Sequence, residues 1–253
     1  CFLVDSIFSI GGVQRVTAVI AKELAKDYDV TIVTFDKKEQ EDTFLYNLNE
    51  ANINYRFFSY PAVNKFKKII CRICSGIYLR LQPQSKWSSD LYALSSFPSE
   101  QRDSILEELK RGKYDVIIGV HAPLAARLAT LKRHLPGVNC IGWLHNSFEA
   151  LFGENSHYYI GAKRRRHYIY QFRKLDDVVV LCKNDANRFT AYDNKFVPKV
   201  IYNPLTLKQG TPSNGTSKRF LTIGRFTPFH KGIDLLIEAF NLFSQKNQEW
   251  CLD

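Results

Sequence analysis

The sequence predicts an α/β fold of the doubly wound type, in which a parallel sheet carries helices on both faces. Short runs rich in β-branched residues recur along the chain, and stretches with the apolar spacing of an amphipathic helix separate them. Strands buried on both faces read as near-continuous apolar runs, and parallel neighbours need a crossover connection, usually a helix. The alternation of the two patterns therefore predicts this class.

The first strand is predicted at 1–5, and the glycines that follow it mark the turn into the first helix. Apolar, mostly β-branched runs predict further strands at 30–35, 116–120, 140–144, 178–181, 199–201 and 220–223, with the start of another at 250–252. Helical spacing of apolar residues predicts helices at about 13–27, 65–81, 99–111, 122–134, 157–174, 184–192 and 232–246.

The composition excludes several classes of protein. Of the 253 residues, 45% are hydrophobic and six are cysteines, which excludes a disordered chain, a collagen-like repeat and a disulfide scaffold. No stretch reaches the roughly 18 to 20 apolar residues of a membrane-spanning helix. Most of the cysteines lie in apolar runs, which suits the thiols of a reducing compartment. We therefore expect a cytoplasmic protein, with peripheral contact at the inner face of the membrane as a further option.

A polar segment rich in Gly, Pro, Ser and Asn divides the chain. We assign 1–205 to an N-terminal domain, 206–217 to a linker and 218–253 to the start of a second domain. This last stretch is far shorter than a usual domain of about 100–150 residues. Because the chain also lacks Met and opens inside a predicted strand, we expect a fragment that stops within the second domain.

Residues 62–89 form a basic amphipathic segment with six Lys or Arg residues and no acidic residue. Such a helix suits an anionic membrane surface or a phosphorylated lipid. A solvated helix packed on the sheet explains the pattern equally well. The net charge of +10 would also suit nucleic acid, but no nucleic-acid-binding motif accompanies it, so we expect no such partner.

The residues that follow each strand are the candidates for a site, because ligands of doubly wound sheets bind beyond the carboxyl ends of the strands. Gly11 and Gly12 follow the first strand and open a helix. Backbone N–H groups and the positive end of the helix dipole suit a phosphate there. The pair is not the G-x-G-x-x-G fingerprint, which argues against simple NAD binding.

Two histidines also follow predicted strands. His145 and Asn146 come after 140–144 and can donate hydrogen bonds to sugar hydroxyls or to a phosphate. His121, after 116–120, is a similar but poorer candidate. Cys71 and Cys74 have the spacing of a zinc or redox pair, but no second pair is near them, so we expect no metal.

Two cations flank the loop that follows the strand at 220–223. Arg225 lies at the end of the strand and Lys231 at the start of the next helix. A guanidinium bridges two phosphate oxygens, a lysine adds a point charge, and the helix dipole reinforces both. The spacing therefore predicts a diphosphate site.

At these positions the chain resembles glycosyltransferase family 4, the retaining nucleotide-sugar transferases of GT-B architecture. The resemblance extends over Gly-Gly-Val-Gln-Arg at 11–15, Trp-Leu-His-Asn-Ser-Phe at 143–148, Ile-Tyr-Asn-Pro at 201–204, and the block from Ile223 to Phe240. It implies a Rossmann-like N-terminal domain that holds the acceptor and a second such domain that holds the donor.

The resemblance also implies a role for each candidate. Arg225 and Lys231 would bind the donor diphosphate together with the N–H of Gly12, and His145 would be the catalytic residue at the transferred sugar. Gly11 and Asn146 would belong to the acceptor-side loops. The implied reaction needs no metal or cofactor and transfers a sugar to a saccharide or lipid-linked acceptor with retention.

The family's pair of glutamates is expected beyond Asp253, so we expect weak or no turnover by the chain as it stands. Two other functions stay open from the sequence. One is a non-catalytic basic protein that binds membrane or nucleic acid, and the other is a GT-B nucleotide-sugar epimerase.

Overall fold

The chain folds into two compact units, Cys1–Thr206 and Leu207–Asp253. The structure is a computed structural model, and it describes residues 1–83, 85–153, 160–207, 210–224 and 231–253.

A parallel sheet of seven strands forms the centre of the first unit. The strands are β1 (Phe2–Val4), β2 (Val30–Thr34), β3 (Ile53–Phe57), β4 (Val116–Val120), β5 (Asn139–Trp143), β6 (Asp177–Val180) and β7 (Lys199–Val200). Their order across the sheet is β3-β2-β1-β4-β5-β6-β7, and every neighbouring pair is parallel. The predicted α/β class with a parallel sheet is confirmed.

Helices connect these strands except β2 and β3, between which the chain forms 3-10 turns at Lys38–Gln40 and Leu45–Glu50. The helices are α1 (Gly12–Leu24), α2 (Lys65–Leu81), α3 (Lys86–Ser96), α4 (Ser99–Arg111), α5 (Ala122–Leu131), α6 (Phe148–Phe152), α7 (Arg165–Phe172) and α8 (Lys183–Tyr192). None of the helices within the described ranges is both long and apolar enough to cross a bilayer.

The two faces of the sheet bury separate apolar clusters, because successive side chains of a strand point to opposite faces. Leu3 and Val33 belong to the cluster that includes α5, whereas Phe2 and Ile32 belong to the cluster that includes α1. Both faces are therefore covered, as the continuous apolar runs of these strands require.

Helix α5 approaches the sheet closely over a pair of glycines. Gly119 of β4 and Gly142 of β5 are register partners. A Cβ at Gly119 would lie 3.1 Å from the backbone nitrogen of Ala125, and one at Gly142 would lie 3.0 Å from the Ala125 Cβ. Because neither glycine has a Cβ, α5 can pack directly on the backbone of β4 and β5. This contact fixes the position at which α5 begins above the sheet.

Several predicted elements are confirmed in place. Helices α2 and α4 and strand β4 have the predicted bounds, and α5 continues to His134 as a 3-10 turn. The sequence reasoning missed β3, α3 and α6.

Other predicted bounds were wrong. Of the helix predicted at 157–174, the described residues form a 3-10 turn at Ala162–Arg164 and then α7, which ends at Phe172. Gly161, at φ = +69°, has a left-handed backbone that ends any helix approaching from its N-terminal side. Residues 157–159 of that prediction lie outside the described residues.

The second unit contains a β-α-β segment formed by β8 (Arg219–Phe220), α9 (Ile233–Ser244) and β9 (Cys251–Leu252). The two strands are parallel, and Phe220 stacks on Trp250 with ring centroids 5.0 Å apart. Strand β8 ends at Phe220, so the prediction of a strand as far as Ile223 was wrong.

Candidate functional site at the carboxyl edge of the sheet

The order of the strands places a switch point between β1 and β4. From β1 the chain adds β2 and β3 on one side, and it then returns to add β4, β5, β6 and β7 on the other. In open parallel sheets the ligand crevice lies at this point, beyond the carboxyl ends of the strands. The loops that follow β1, β4 and β5 therefore form the candidate site.

The loop after β1 is fastened to the sheet by one carboxylate. Asp36 accepts hydrogen bonds from the backbone N–H groups of Ile7, at 2.8 Å, and Phe8, at 3.1 Å, and from the hydroxyl of Thr34, at 2.7 Å. Burial pushes the pKa of Asp36 upward, but the hydrogen bonds, including one from Ser6, outweigh it and hold the pKa below its ordinary 3.8. The ionised carboxylate thus fixes the path of the chain toward the glycines.

The glycine pair begins helix α1. Gly11 precedes the helix, and its N–H donates to the Tyr46 hydroxyl at 2.8 Å, so this group is already used. Gly12 is the first helical residue, and the first N–H groups of a helix have no intrahelical partner. A Cβ at Gly12 would meet no atom of the described residues within 4 Å. Neither packing nor backbone conformation thus requires glycine at 12, and a close approach by a ligand would explain it.

His121 joins β4 to α5 in a strained conformation. Its φ of +75° and ψ of 153° lie in a region that only glycine adopts readily. The backbone is held by two hydrogen bonds, from its N–H to the carbonyl of Trp143 and from the N–H of Ala125 to its own carbonyl, each at 2.9 Å. Burial lowers the pKa of His121, while Asp5 and a hydrogen bond with Asn146 oppose this shift.

His145 follows β5 and faces the same crevice. Its ring centroid lies 4.3 Å from that of Trp143 and 5.6 Å from that of His121. The Nε2 atom is buried and has no hydrogen-bond partner among the described residues. Burial, with a smaller contribution from His121, lowers the pKa of His145 from 6.5 to about 3. The ring is therefore neutral at physiological pH, and the hydrogen-bonding capacity of its buried Nε2 is not used by any described residue.

Asp5 is a residue of this site that the sequence reasoning missed. It follows β1 as His121 follows β4, and the two strands are neighbours in the sheet. Burial raises the pKa of Asp5, against the opposing charges of His121 and Arg127. The signal was available, because Asp5 is the one charged residue of the first predicted strand, 1–5, and lies at its carboxyl end.

The structure brings Asn146, His121 and His145 together.

In the second unit, Lys231 is exposed, and its Cγ would lie 3.8 Å from a Cβ placed at Gly224. Arg225 lies outside the described residues, so its predicted convergence with Lys231 stays a prediction. Within the described ranges, no group of three or more His, Cys, Asp or Glu residues is placed to hold a metal ion.

A comparison with sequence models of protein families matches Glycosyltransferase Family 4 over residues 10–209, well over half of the chain. The chain belongs to glycosyltransferase family 4. A comparison with curated proteins finds no match.

The glycosyltransferase family 4 match includes part of the candidate site. Gly11, Gly12, His145 and Asn146 lie within the matched residues, and the parallel sheet of this unit is consistent with a Rossmann-like domain of the GT-B type. Lys231 follows the end of the match. Family membership supports a glycosyltransferase-like function in general, and the role of each residue stays a prediction.

Proposed function

We propose that this protein transfers a sugar from a nucleotide-diphosphate donor to a saccharide or lipid-linked acceptor, with retention of configuration. Its place would be the synthesis of cell-surface polysaccharide or glycoconjugate. The observation that carries the proposal is His145, a neutral imidazole in the loop after β5, next to the switch point. Its buried Nε2 has no hydrogen-bond partner among the described residues, and the chain belongs to glycosyltransferase family 4.

The donor diphosphate would approach the start of α1. The open space at Gly12 allows the backbone to come close to a phosphate oxygen, and the helix dipole favours the negative charge. Arg225 and Lys231 would neutralise the rest of the charge, which is why we propose no metal for the reaction.

His145 would hydrogen-bond a hydroxyl of the transferred sugar. Because its ring is neutral, it contributes a directed hydrogen bond rather than a positive charge, and the hydrogen bond between His121 and Asn146 lies beside it. The bond between the sugar C1 and the diphosphate oxygen breaks as the acceptor hydroxyl attacks C1 on the same face. The departing phosphate oxygen takes the proton of that hydroxyl, so no protein nucleophile is needed.

Binding of UDP and GDP, measured by calorimetry, and transfer from a panel of nucleotide sugars test the proposal. Gly12→Ala places a methyl group where the phosphate would lie, and we expect nucleotide affinity to fall by at least about tenfold. Gly76→Ala is the matched control, because a Cβ there also meets no atom within 4 Å in the part of the chain that the structure describes, and α2 is not part of the candidate site. Unchanged nucleotide binding by Gly12→Ala would contradict this placement of the donor.

Product analysis separates transfer from the epimerase alternative. We expect any glycosylated acceptor, however slowly it forms, to keep the anomeric configuration of the donor, and we expect His145→Ala to slow its formation further. An epimerised nucleotide sugar formed without acceptor would overturn the transferase proposal.

A further inference from the structure

Helix α2 carries a stripe of exposed apolar side chains. Its members recur every three or four residues, so they share one side of the helix: Phe66, Ile69, Ile70, Ile73, Ile77 and Leu81. Their exposed fractions run from 45% for Ile70 to 73% for Phe66. Single exposed apolar residues are ordinary, but a stripe along a whole helix marks an interaction surface.

The opposite side of α2 is the side that packs on the protein. Tyr78 is buried and stacks on Tyr92 of α3, with ring centroids 4.4 Å apart, and the hydroxyls of Ser75 and Ser95 are 2.9 Å apart. These contacts fix the rotation of the helix about its axis. They exclude the arrangement in which the apolar stripe packs on the sheet.

Basic residues border the stripe. Lys65, Lys68 and Arg72 share one flank by their spacing, and all three are exposed, as is Arg80. Of the six cations at 62–89, Lys67 takes part in an ion pair within the described residues, with Glu100 at 2.8 Å. The other five are in none of the ion pairs found in that part of the chain, and the segment contains no acidic residue.

Helix α3 adds exposed apolar residues next to the end of α2. Trp87, at the start of this helix, is 73% exposed, and Leu91 and Leu94 follow at the spacing of one helix face. Tryptophan is enriched at the boundary between lipid and water, because its ring is apolar and its N–H is polar.

We propose that α2, with the start of α3, docks in the plane of an anionic lipid bilayer. The Ile and Leu side chains would enter the boundary between headgroups and acyl chains, and the bordering cations would contact anionic headgroups. Charge complementarity favours lipid over a second copy of this chain, whose own α2 would oppose cations to cations. Five of the six side chains in the stripe are Ile or Leu, which offer no stacking surface to bases, and this disfavours nucleic acid. The proposal does not depend on the transfer reaction.

Co-sedimentation with phosphatidylcholine vesicles, prepared with and without phosphatidylglycerol, tests this surface. We expect binding to the anionic vesicles, with a blue shift of the Trp87 fluorescence that Trp87→Phe removes. The triple variant Ile70→Ser, Ile73→Ser, Ile77→Ser should weaken binding by more than about tenfold. Reversing Lys65, Lys68 and Arg72 to Glu should weaken it at least as much, because each cation near an anionic surface contributes about 1 kcal/mol.

Two control variants change exposed residues of the first unit outside α2 and α3. Val197→Ser removes an apolar side chain, and Lys195→Glu reverses a charge. Both should bind vesicles like the parent protein. Binding to anionic vesicles by the two triple variants that equals binding by the parent protein would overturn the proposal. A dimer in sedimentation that the Ile→Ser variant dissolves, without any vesicle binding by the parent, would assign the surface to a second copy. Duplex DNA binding as tight as vesicle binding would also overturn it.

Discussion

His145 is expected to stay uncharged in the folded protein into the acidic range, and His145→Gln should remove part of the acid sensitivity of the fold. Burial lowers the pKa of His145 to about 3, whereas an exposed histidine of the unfolded chain titrates near 6.5. Between these values the unfolded chain binds the proton and the folded protein does not. Stability contributed by the neutral ring is therefore complete above pH 6.5 and is lost as the pH falls from 6.5 toward 3.

The magnitude follows from proton linkage. At pH 5 the unfolded histidine is almost fully protonated and the folded one is almost fully neutral, which lowers the free energy of unfolding by about 2 kcal/mol relative to pH 7.5. Any folded pKa well below 5 gives nearly the same loss. Burial also lowers the pKa of His167, to about 4, so His167 also makes the protein less stable at pH 5. The parent protein and His145→Gln share this loss, and the difference between their losses of unfolding free energy is therefore due to His145.

Urea unfolding at pH 7.5 and pH 5, followed by circular dichroism, measures the effect for the parent protein and for His145→Gln. The exposed His134 supplies the control, since His134→Gln should keep the acid sensitivity of the parent. NMR titration of the histidine ring protons reports the protonation of His145 directly. A His145 that titrates near 6.5 in the folded protein would contradict this prediction, as would a His145→Gln protein that loses as much stability on acidification as the parent.

Two further substitutions, with Gly76→Ala as a control, test the framework around the site. Asp36→Ala should lower the free energy of unfolding by about 2–3 kcal/mol, because it leaves two backbone N–H groups without their charged acceptor. The carboxylate's contribution should disappear as the pH falls below 3.8, since its pKa is lowered in the folded state. Gly119→Ala should cost about 1–3 kcal/mol, because its Cβ would press on the backbone of Ala125. Gly76→Ala should instead stabilise by about 0.5–1 kcal/mol. Urea unfolding measures each change, and a Gly119→Ala protein as stable as the parent would contradict the close approach of α5.

The central strands were predictable because burial on both faces leaves continuous apolar runs in β1, β2 and β4. Strand β3 lies at the edge of the sheet, where Ile53 is buried and Asn54 is exposed. Its residues alternate, so a search for continuous runs passes over it. Helix α6 has only five residues, too few to show helical spacing, although the Ser147 hydroxyl accepts from the Ala150 N–H at its start.

The positions of the site residues were partly predictable and their properties were not. The rule for the carboxyl ends of parallel strands selects His121 and His145 from the sequence alone. It gives no information on the buried Nε2 of His145 or on the lowered pKa values. Those properties depend on which rings are in contact in the crevice. The ring contacts depend in turn on how closely α5 packs on Gly119 and Gly142.

The strain at His121 follows from the shortness of one connection. Strand β4 ends at Val120 and α5 begins at Ala122, so a single residue must turn the chain from the sheet into the helix. That turn requires a positive φ, which glycine adopts freely and histidine adopts at a cost of about 1–3 kcal/mol. Glycine here would relieve the strain but would lose the hydrogen bond with Asn146 and the ring that faces His145. The side chain, rather than the backbone, therefore accounts for a histidine at this position.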